Sequence, residues 1–126
     1  MIVGMRILII DDYNDLRESM KRMFGDYGGH DVLEADNGRD GLALGLANTY
    51  DLIISDLEMP HLDGWGVIQG LHEAGVTSTT QVCLLTGNSL NTTQMARLQG
   101  YNARYLSKGG DVWGEIGKIL SDFESK

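Results

Sequence analysis

The chain has 126 residues, 42% of them hydrophobic, and 18 acidic against 10 basic side chains give a formal charge of -8. That length suits one domain, which can bury roughly two-thirds of the surface its unfolded form exposes without a metal or disulfide staple. The acidic excess argues against nonspecific binding to nucleic acid or an anionic membrane, and the single Cys83, set inside an apolar run, reads as a core side chain in a reducing compartment.

Residues 1 to 4 form a short leader to a first strand over residues 5 to 10. Asp11 and Asp12 interrupt this apolar start long before a signal segment or a span of about 20 residues is complete, so a cytoplasmic location is expected. A helix follows, with Leu16, Met20, Met23, Phe24 and Tyr27 on its inward face, Arg17, Glu18, Lys21 and Arg22 opposite, and Gly28-Gly29 as its stop. Asp31 to Ala35 reads as a second strand. The turn Asp36-Asn37-Gly38 then leads to a helix whose inward face is marked by Leu42, Leu46 and Tyr50.

The third strand begins at Leu52, in a run of branched apolar residues too short for an independent helix, and ends at Asp56. Pro60, the only proline, and Asp63-Gly64 punctuate the segment beyond that aspartate. Residues 64 to 73 read as a helix with Trp65, Ile68 and Leu71 inward, weakened by Gly66 and Gly70 at about 1 kcal/mol each relative to alanine. Residues 80 to 85 make a fourth strand and 91 to 99 a polar helix in which only Met95 and Leu98 are clearly apolar. Residues 103 to 107 are the fifth strand, and the last helix carries Val112, Trp113, Ile116, Ile119, Leu120 and Phe123 on a broad apolar face. Strands alternating with helices predict a parallel sheet with helices on both faces, joined by right-handed crossovers.

Four of the strands end in polar residues of complementary kinds: Asp11-Asp12, Asp56, Thr86 and Lys108. In an open parallel sheet the carboxyl ends of the strands share one edge, where ligands bind. Crowded carboxylates at Asp11, Asp12 and Asp56 repel one another unless one is protonated or a cation sits among them. A hard divalent ion with oxygen ligands, Mg2+, suits such an open site. His30, His61 and His72 are scattered, without zinc-type spacing, and are expected at the surface. Lys108 beside a metal can neutralise the equatorial oxygens of a phosphoryl group attacked by Asp56, and Thr86 can donate its hydroxyl to one of them. Taken singly, Asp12 also fits a helix cap, Thr86 a loop residue and Lys108 a solvated charge.

In order and spacing these residues, with Met59-Pro60 and Asp63-Gly64 behind Asp56 and the Gly100 to Lys108 segment, resemble the receiver domains of bacterial two-component response regulators. The likeness runs from Met5 to about Phe123, so residues 1 to 126 are expected to be one receiver domain like the single-domain chemotaxis regulators. The resemblance implies a flavodoxin-like fold with strand order 2-1-3-4-5. It implies that Asp56 accepts a phosphoryl group from a histidine kinase or a histidine phosphotransfer protein. Asp12 would bind Mg2+ directly, Asp11 through water, Asp56 as a further ligand, and the backbone carbonyl of Glu58 would complete the shell. Lys108 would pair with the phosphoryl group. Thr86 and Tyr105 match the coupled switch pair that alters a face made by the fourth helix, fifth strand and fifth helix, where a downstream protein would dock. Tyr105 also suits a plain core position.

The family usually has proline after its lysine, whereas this chain has Gly109-Gly110, so a cis peptide is not expected there and the lysine's loop is loosened. Glu58 and Asn88 stand where the family tunes dephosphorylation. Phosphorylation would add about -1.5 to -2 charge at Asp56 and bias a two-state surface. Such a protein is not an enzyme on an outside substrate; its phosphoryl transfer and dephosphorylation are self-catalysed. The alternatives are a pseudo-receiver that binds partners without phosphorylation, a nucleotide-binding enzyme of flavodoxin-like fold, and a phosphatase with an aspartate nucleophile. Gly64-Trp-Gly66 begins like a dinucleotide fingerprint, but position 69 is Gln69 and no strand directly precedes it. The phosphatase reading wants a second Asp where Glu58 stands.

Overall fold

The computed structural model describes residues 4–124, so the leader residues 1 to 3 lie outside the described part. Five parallel strands form one sheet in the order β2-β1-β3-β4-β5, as expected. They are β1 (Arg6–Ile10), β2 (Asp31–Ala35), β3 (Leu52–Asp56), β4 (Gln81–Thr86) and β5 (Ala103–Ser107). The helices α1 (Asn14–Lys21), α2 (Gly38–Ala47), α3 (Gly64–Glu73), α4 (Thr92–Gly100) and α5 (Val112–Glu124) alternate with them.

Every residue of β3 is buried, as are all but the first of β1 and β4, whereas the edge strands β2 and β5 are partly exposed. Central strands covered on both faces need continuous apolar runs, which is why they are legible as such. Alternate side chains then divide between two cores. Leu8, Ile10, Ile53 and Leu84 pack with Val67, Ile68, Leu71 and Leu98 from α3 and α4. Ile7, Ile9, Ile54, Cys83 and Leu85 pack with Met20, Ile116 and Ile119 from α1 and α5. Asn37, Asp63 and Asn91 cap α2, α3 and α4 by accepting from the backbone N–H of Asp40, Gly66 and Gln94.

Several inward faces differ from expectation. After Lys21 the helix widens into π-helical turns over Arg22–Tyr27, which changes the angular step per residue. Phe24 still points inward, but Met23 and Tyr27 are 45% and 75% exposed. In α2 the buried residues are Gly38, Gly41 and Gly45, with Leu42 half-buried and Leu46 exposed. The helix lies so close to β1 that a Cβ on Gly41 would stand 2.5 Å from Ile10 Cγ2; a face of leucines does not fit there. Trp65 and Met95 are half-buried, and Trp113 is just exposed. His30, expected at the surface, is buried, and its Nδ1 accepts from Met5 N at 3.1 Å.

The glycine face of α2 yields a stability test. Gly41→Ala adds a methyl group against the fully buried Ile10, and overpacking of this kind costs about 1–3 kcal/mol. That outweighs the helix-propensity gain of about 1 kcal/mol. Urea melts should show lower stability for Gly41→Ala, and a rise in the midpoint would mean that α2 is free to move outward.

Candidate functional site

The sheet's carboxyl edge brings the strand-end residues together. Asp56 is the last residue of β3 and Thr86 the last of β4; Asp11 follows β1 and Lys108 follows β5. Backbone hydrogen bonds carry the ladder past the strand ends: Asp11 N donates to Ala35 O at 3.1 Å, Leu57 N to Leu85 O at 2.9 Å and Lys108 N to Thr86 O at 2.9 Å. Each functional side chain therefore starts from a fixed backbone position. The site lies where β1 and β3 are neighbours and the strand order reverses.

One carboxylate oxygen from each of Asp11, Asp12 and Asp56 lies within 4.8 Å of the others. Asp11 and Asp56 are buried, while Asp12 is exposed. Asp12 does not cap α1: the cap position is Tyr13, which makes no side-chain cap bond. Asp11 Oδ1 accepts from Tyr13 N at 2.9 Å, but its buried Oδ2 has no hydrogen-bond donor. Lys108 Nζ stands 2.7 Å from Asp56 Oδ1 without hydrogen-bond alignment, so the contact is an ion pair and that buried oxygen also lacks an aligned donor.

Burial, reinforced by Asp11 and Asp12 and opposed by Lys108, pushes the Asp56 carboxyl up to about 6. Burial also raises Asp11, against the hydrogen bond from Tyr13 and the charge of Lys108. The Lys108 ammonium is disfavoured by burial, yet Asp56, Asp11 and Glu58 outweigh this and hold it above its ordinary value. Buried carboxylate oxygens without donors, in an all-oxygen cluster open on the Asp12 side, fit a hard divalent cation.

Thr86 is fully buried, and its hydroxyl donates to Glu58 Oε1 at 2.9 Å. Asn88 donates from its backbone N to Thr86 Oγ1 at 3.1 Å and from Nδ2 to Glu58 Oε1 at 2.6 Å. The Tyr105 hydroxyl donates to Asn88 O at 3.0 Å. Tyr105 is thus a half-buried residue tied to the β4–α4 loop rather than plain core. Gly64 braces the loop after β3 from below: its N–H donates to Leu57 O at 2.8 Å, and a Cβ there would lie 2.5 Å from Asp56 O.

Two elements of the site escape a reading by type and spacing. Arg17, assigned to the solvent face of its helix, instead donates to Asp11 O at 2.8 Å, Glu34 Oε1 at 2.9 Å and Asn14 Oδ1 at 2.6 Å. It fastens the Asp11 loop to α1 and β2. Glu115 accepts from Ser107 N at 3.1 Å, immediately before Lys108, which steadies the Gly109-Gly110 loop from α5. An arginine six residues past an acidic loop is a faint signal; Glu115 leaves none.

The family description "Response regulator receiver domain" matches residues 7–112. The chain is 32% identical over 106 residues to the protein PilH of Pseudomonas aeruginosa, covering 84% of this chain and 87% of PilH. It is 34% identical over 87 residues to the transcriptional regulatory protein HprR of Escherichia coli, covering 69% of this chain but only 38% of HprR. The chemotaxis protein CheY4 of Vibrio cholerae superposes with a TM-score of 0.81 at 22% identity over 94% of this chain and 98% of that one, a likeness of fold. The fold and the acidic strand edge define the receiver class of two-component signalling. The chain belongs to the response regulator receiver domain family, and membership supports a phosphoacceptor signalling role.

The raised Asp56 value fixes the sign of a pH effect in metal-free protein. A carboxyl that titrates higher folded than unfolded contributes stability that is full below about pH 4. That contribution is lost as pH rises through about 6. In EDTA at pH 7.5, Asp56→Asn should therefore be more stable than wild type by about 1–3 kcal/mol, with the gap closing toward pH 4. Denaturation at the two pH values measures this, and a less stable Asn variant at pH 7.5 would make Asp56 a structural residue.

Proposed function

We propose that this chain is a phosphoacceptor switch in which Asp56 takes a phosphoryl group from a histidine kinase or a histidine phosphotransfer protein, with Mg2+ as cofactor. The observation that carries the reading is Asp56 itself: a buried carboxylate at a strand end, 2.7 Å from an ammonium and within a cluster of carboxylates in which one oxygen of Asp11 and one of Asp56 lack an aligned donor. Asp11, Asp12, Asp56 and the backbone carbonyl of Glu58 would hold the ion, which supplies positive charge for the phosphoryl oxygens.

In the transfer, an Asp56 carboxylate oxygen attacks phosphorus and the P–N bond of the phosphohistidine breaks. The electron pair stays on the departing imidazole, which is then protonated. Lys108, already paired with Asp56, stays beside the new phosphoryl oxygens and offsets their charge. The site acts on its own side chain, so the protein is a substrate of the relay and not an enzyme on outside molecules. Thr86 then donates to a phosphoryl oxygen, Tyr105 changes its contacts, and the face of α4, β5 and α5 presents a different surface to a downstream protein. A cytoplasmic setting is part of this reading; no helix among the described residues is long and apolar enough to cross a membrane.

Intact-protein mass after incubation with acetyl phosphate bypasses the kinase. Wild type with Mg2+ should carry a single phosphoryl adduct, absent in EDTA and absent in Asp56→Asn. No adduct on wild type in Mg2+ would instead favour a pseudo-receiver whose surfaces work without phosphorylation.

A further inference from the structure

Thr86 has one hydroxyl proton, and a hydroxyl donates it to one acceptor at a time. In this structure the acceptor is the Glu58 carboxylate, and a hydrogen bond to a carboxylate is stronger than a neutral one. Thr86 Oγ1 also accepts from the N–H of Asn88. Asn88 meets Glu58 a second time through Nδ2, and its carbonyl receives the Tyr105 hydroxyl. Glu58, Thr86, Asn88 and Tyr105 therefore form one chain of hydrogen bonds, with a carboxylate at its head.

We propose that the Glu58 side chain is a positioning residue of the switch: a latch that holds the Thr86 hydroxyl and, through Asn88, keeps Tyr105 on the loop until a phosphoryl group competes for the same proton. The inference rests on Asp56 being the phosphoacceptor. It assigns to the Glu58 side chain a role separate from that of the Glu58 backbone carbonyl, and separate from any effect on hydrolysis. A phosphoryl group on Asp56 and the Glu58 carboxylate are rival acceptors, so the strength of the latch sets how much of the unphosphorylated protein already has the loop released. The carboxylate has somewhere to go: Glu58 is exposed, and a groove of about 570 Å³ lined by Met59, Pro60, Asp63, Trp65 and Asn88 opens beside it.

Three variants separate the latch from simple charge removal. Glu58→Gln loses the charge but keeps a carbonyl oxygen able to accept from both Thr86 and Asn88. Glu58→Ala loses both. Thr86→Ala removes the hydroxyl on which the latch acts. With protein carrying 13C-labelled tyrosine and 15N-labelled backbone, in EDTA and without a phosphoryl donor, Glu58→Ala should move the Tyr105 ring and Asn88 amide resonances. The shift corresponds to about a threefold to tenfold larger released population, the worth of one net hydrogen bond. Glu58→Gln should shift clearly less than Glu58→Ala, and in a Thr86→Ala background Glu58→Ala should add a smaller shift than in wild type, because only the bond from Asn88 Nδ2 is then left to lose.

Coincident Tyr105 and Asn88 resonances in wild type and Glu58→Ala would overturn the latch, and so would Glu58→Gln shifting as far as Glu58→Ala. The donor-free spectra decide this alone. Acetyl phosphate and Mg2+ added to the same wild-type sample test the acceptor reading independently: an adduct that moves Tyr105 in the direction seen for Glu58→Ala supports both, whereas no adduct removes the acceptor assignment and with it the rival acceptor, even where the donor-free spectra show Glu58 holding the loop.

Discussion

The structure depends on keeping two carboxylates, Asp11 and Asp56, buried side by side at one edge of a sheet. A buried like-charge pair is among the costlier arrangements a small domain can hold, and much of the surrounding architecture acts to keep it in place. Lys108 supplies one positive charge directly, and Arg17 binds the carbonyl of Asp11 rather than its carboxylate. The second charge therefore fixes the loop and offsets the acid less than Lys108 does. Two buried oxygens of the cluster, Asp11 Oδ2 and Asp56 Oδ1, are left without aligned donors, a condition that suits a cation and costs stability when none is bound. The tension between folding and function is thus localised in a few atoms.

Rigidity around those atoms comes from close backbone approach more than from large side chains. Gly64 lets the start of α3 press against the backbone of Asp56 and Leu57, and Gly41 lets α2 lie on Ile10 just below the Asp11 loop. Helix propensity is given up at both places, and the return is a β3–α3 loop held from one side by the sheet ladder and from the other by a capped helix N-terminus. Asp63 serves that end of α3 by accepting from Gly66 N. This acidic residue, seven positions past Asp56, is therefore a structural cap, outside the acidic cluster.

The strands and their terminal residues were legible in the sequence because a strand buried on both faces must be an uninterrupted apolar run, and such a run makes its polar end conspicuous. Asp11, Asp56, Thr86 and Lys108 stand out for that reason, and the sheet does bring them to one edge. Helix faces were less legible. A fixed angular step places Met23 and Tyr27 inward, but the π-helical turns after Lys21 break that step. An apolar moment places Leu46 inward, but the contact surface of α2 is made of glycines, which carry no hydrophobic signal. Arg17, Glu115 and the Glu58 side chain have partners that were hard to read for another reason, although Glu58 itself stood out by its place two residues beyond Asp56. Each acts through hydrogen bonds to groups distant in sequence or to backbone, so residue type and local spacing say nothing of the partner.

Where a change at Asp56 can travel depends on which neighbours are fastened. At its start α4 is fixed by the reciprocal capping box of Asn91 and Gln94. Along its length it is held to α3 by Arg97, whose guanidinium lies 4.5 Å from the Trp65 ring centroid and 5.7 Å from that of Tyr101. Cation–π contacts of this kind contribute about 0.5–2 kcal/mol. The segment between Thr86 and the Asn91 cap has fewer restraints: Gly87, Asn88 and Ser89 are exposed, and Asn88 both donates to Glu58 and accepts from Tyr105. A short loop between a buried hydroxyl and an anchored helix has little freedom to absorb displacement. In the proposed switch, movement of Thr86 toward Asp56 would draw Asn88 with it, and Tyr105 would then either move along or lose its acceptor. The path this proposal takes from the acid cluster to the β5 surface is therefore two residues of tethered loop, with α4 itself as the fixed frame against which that loop would move.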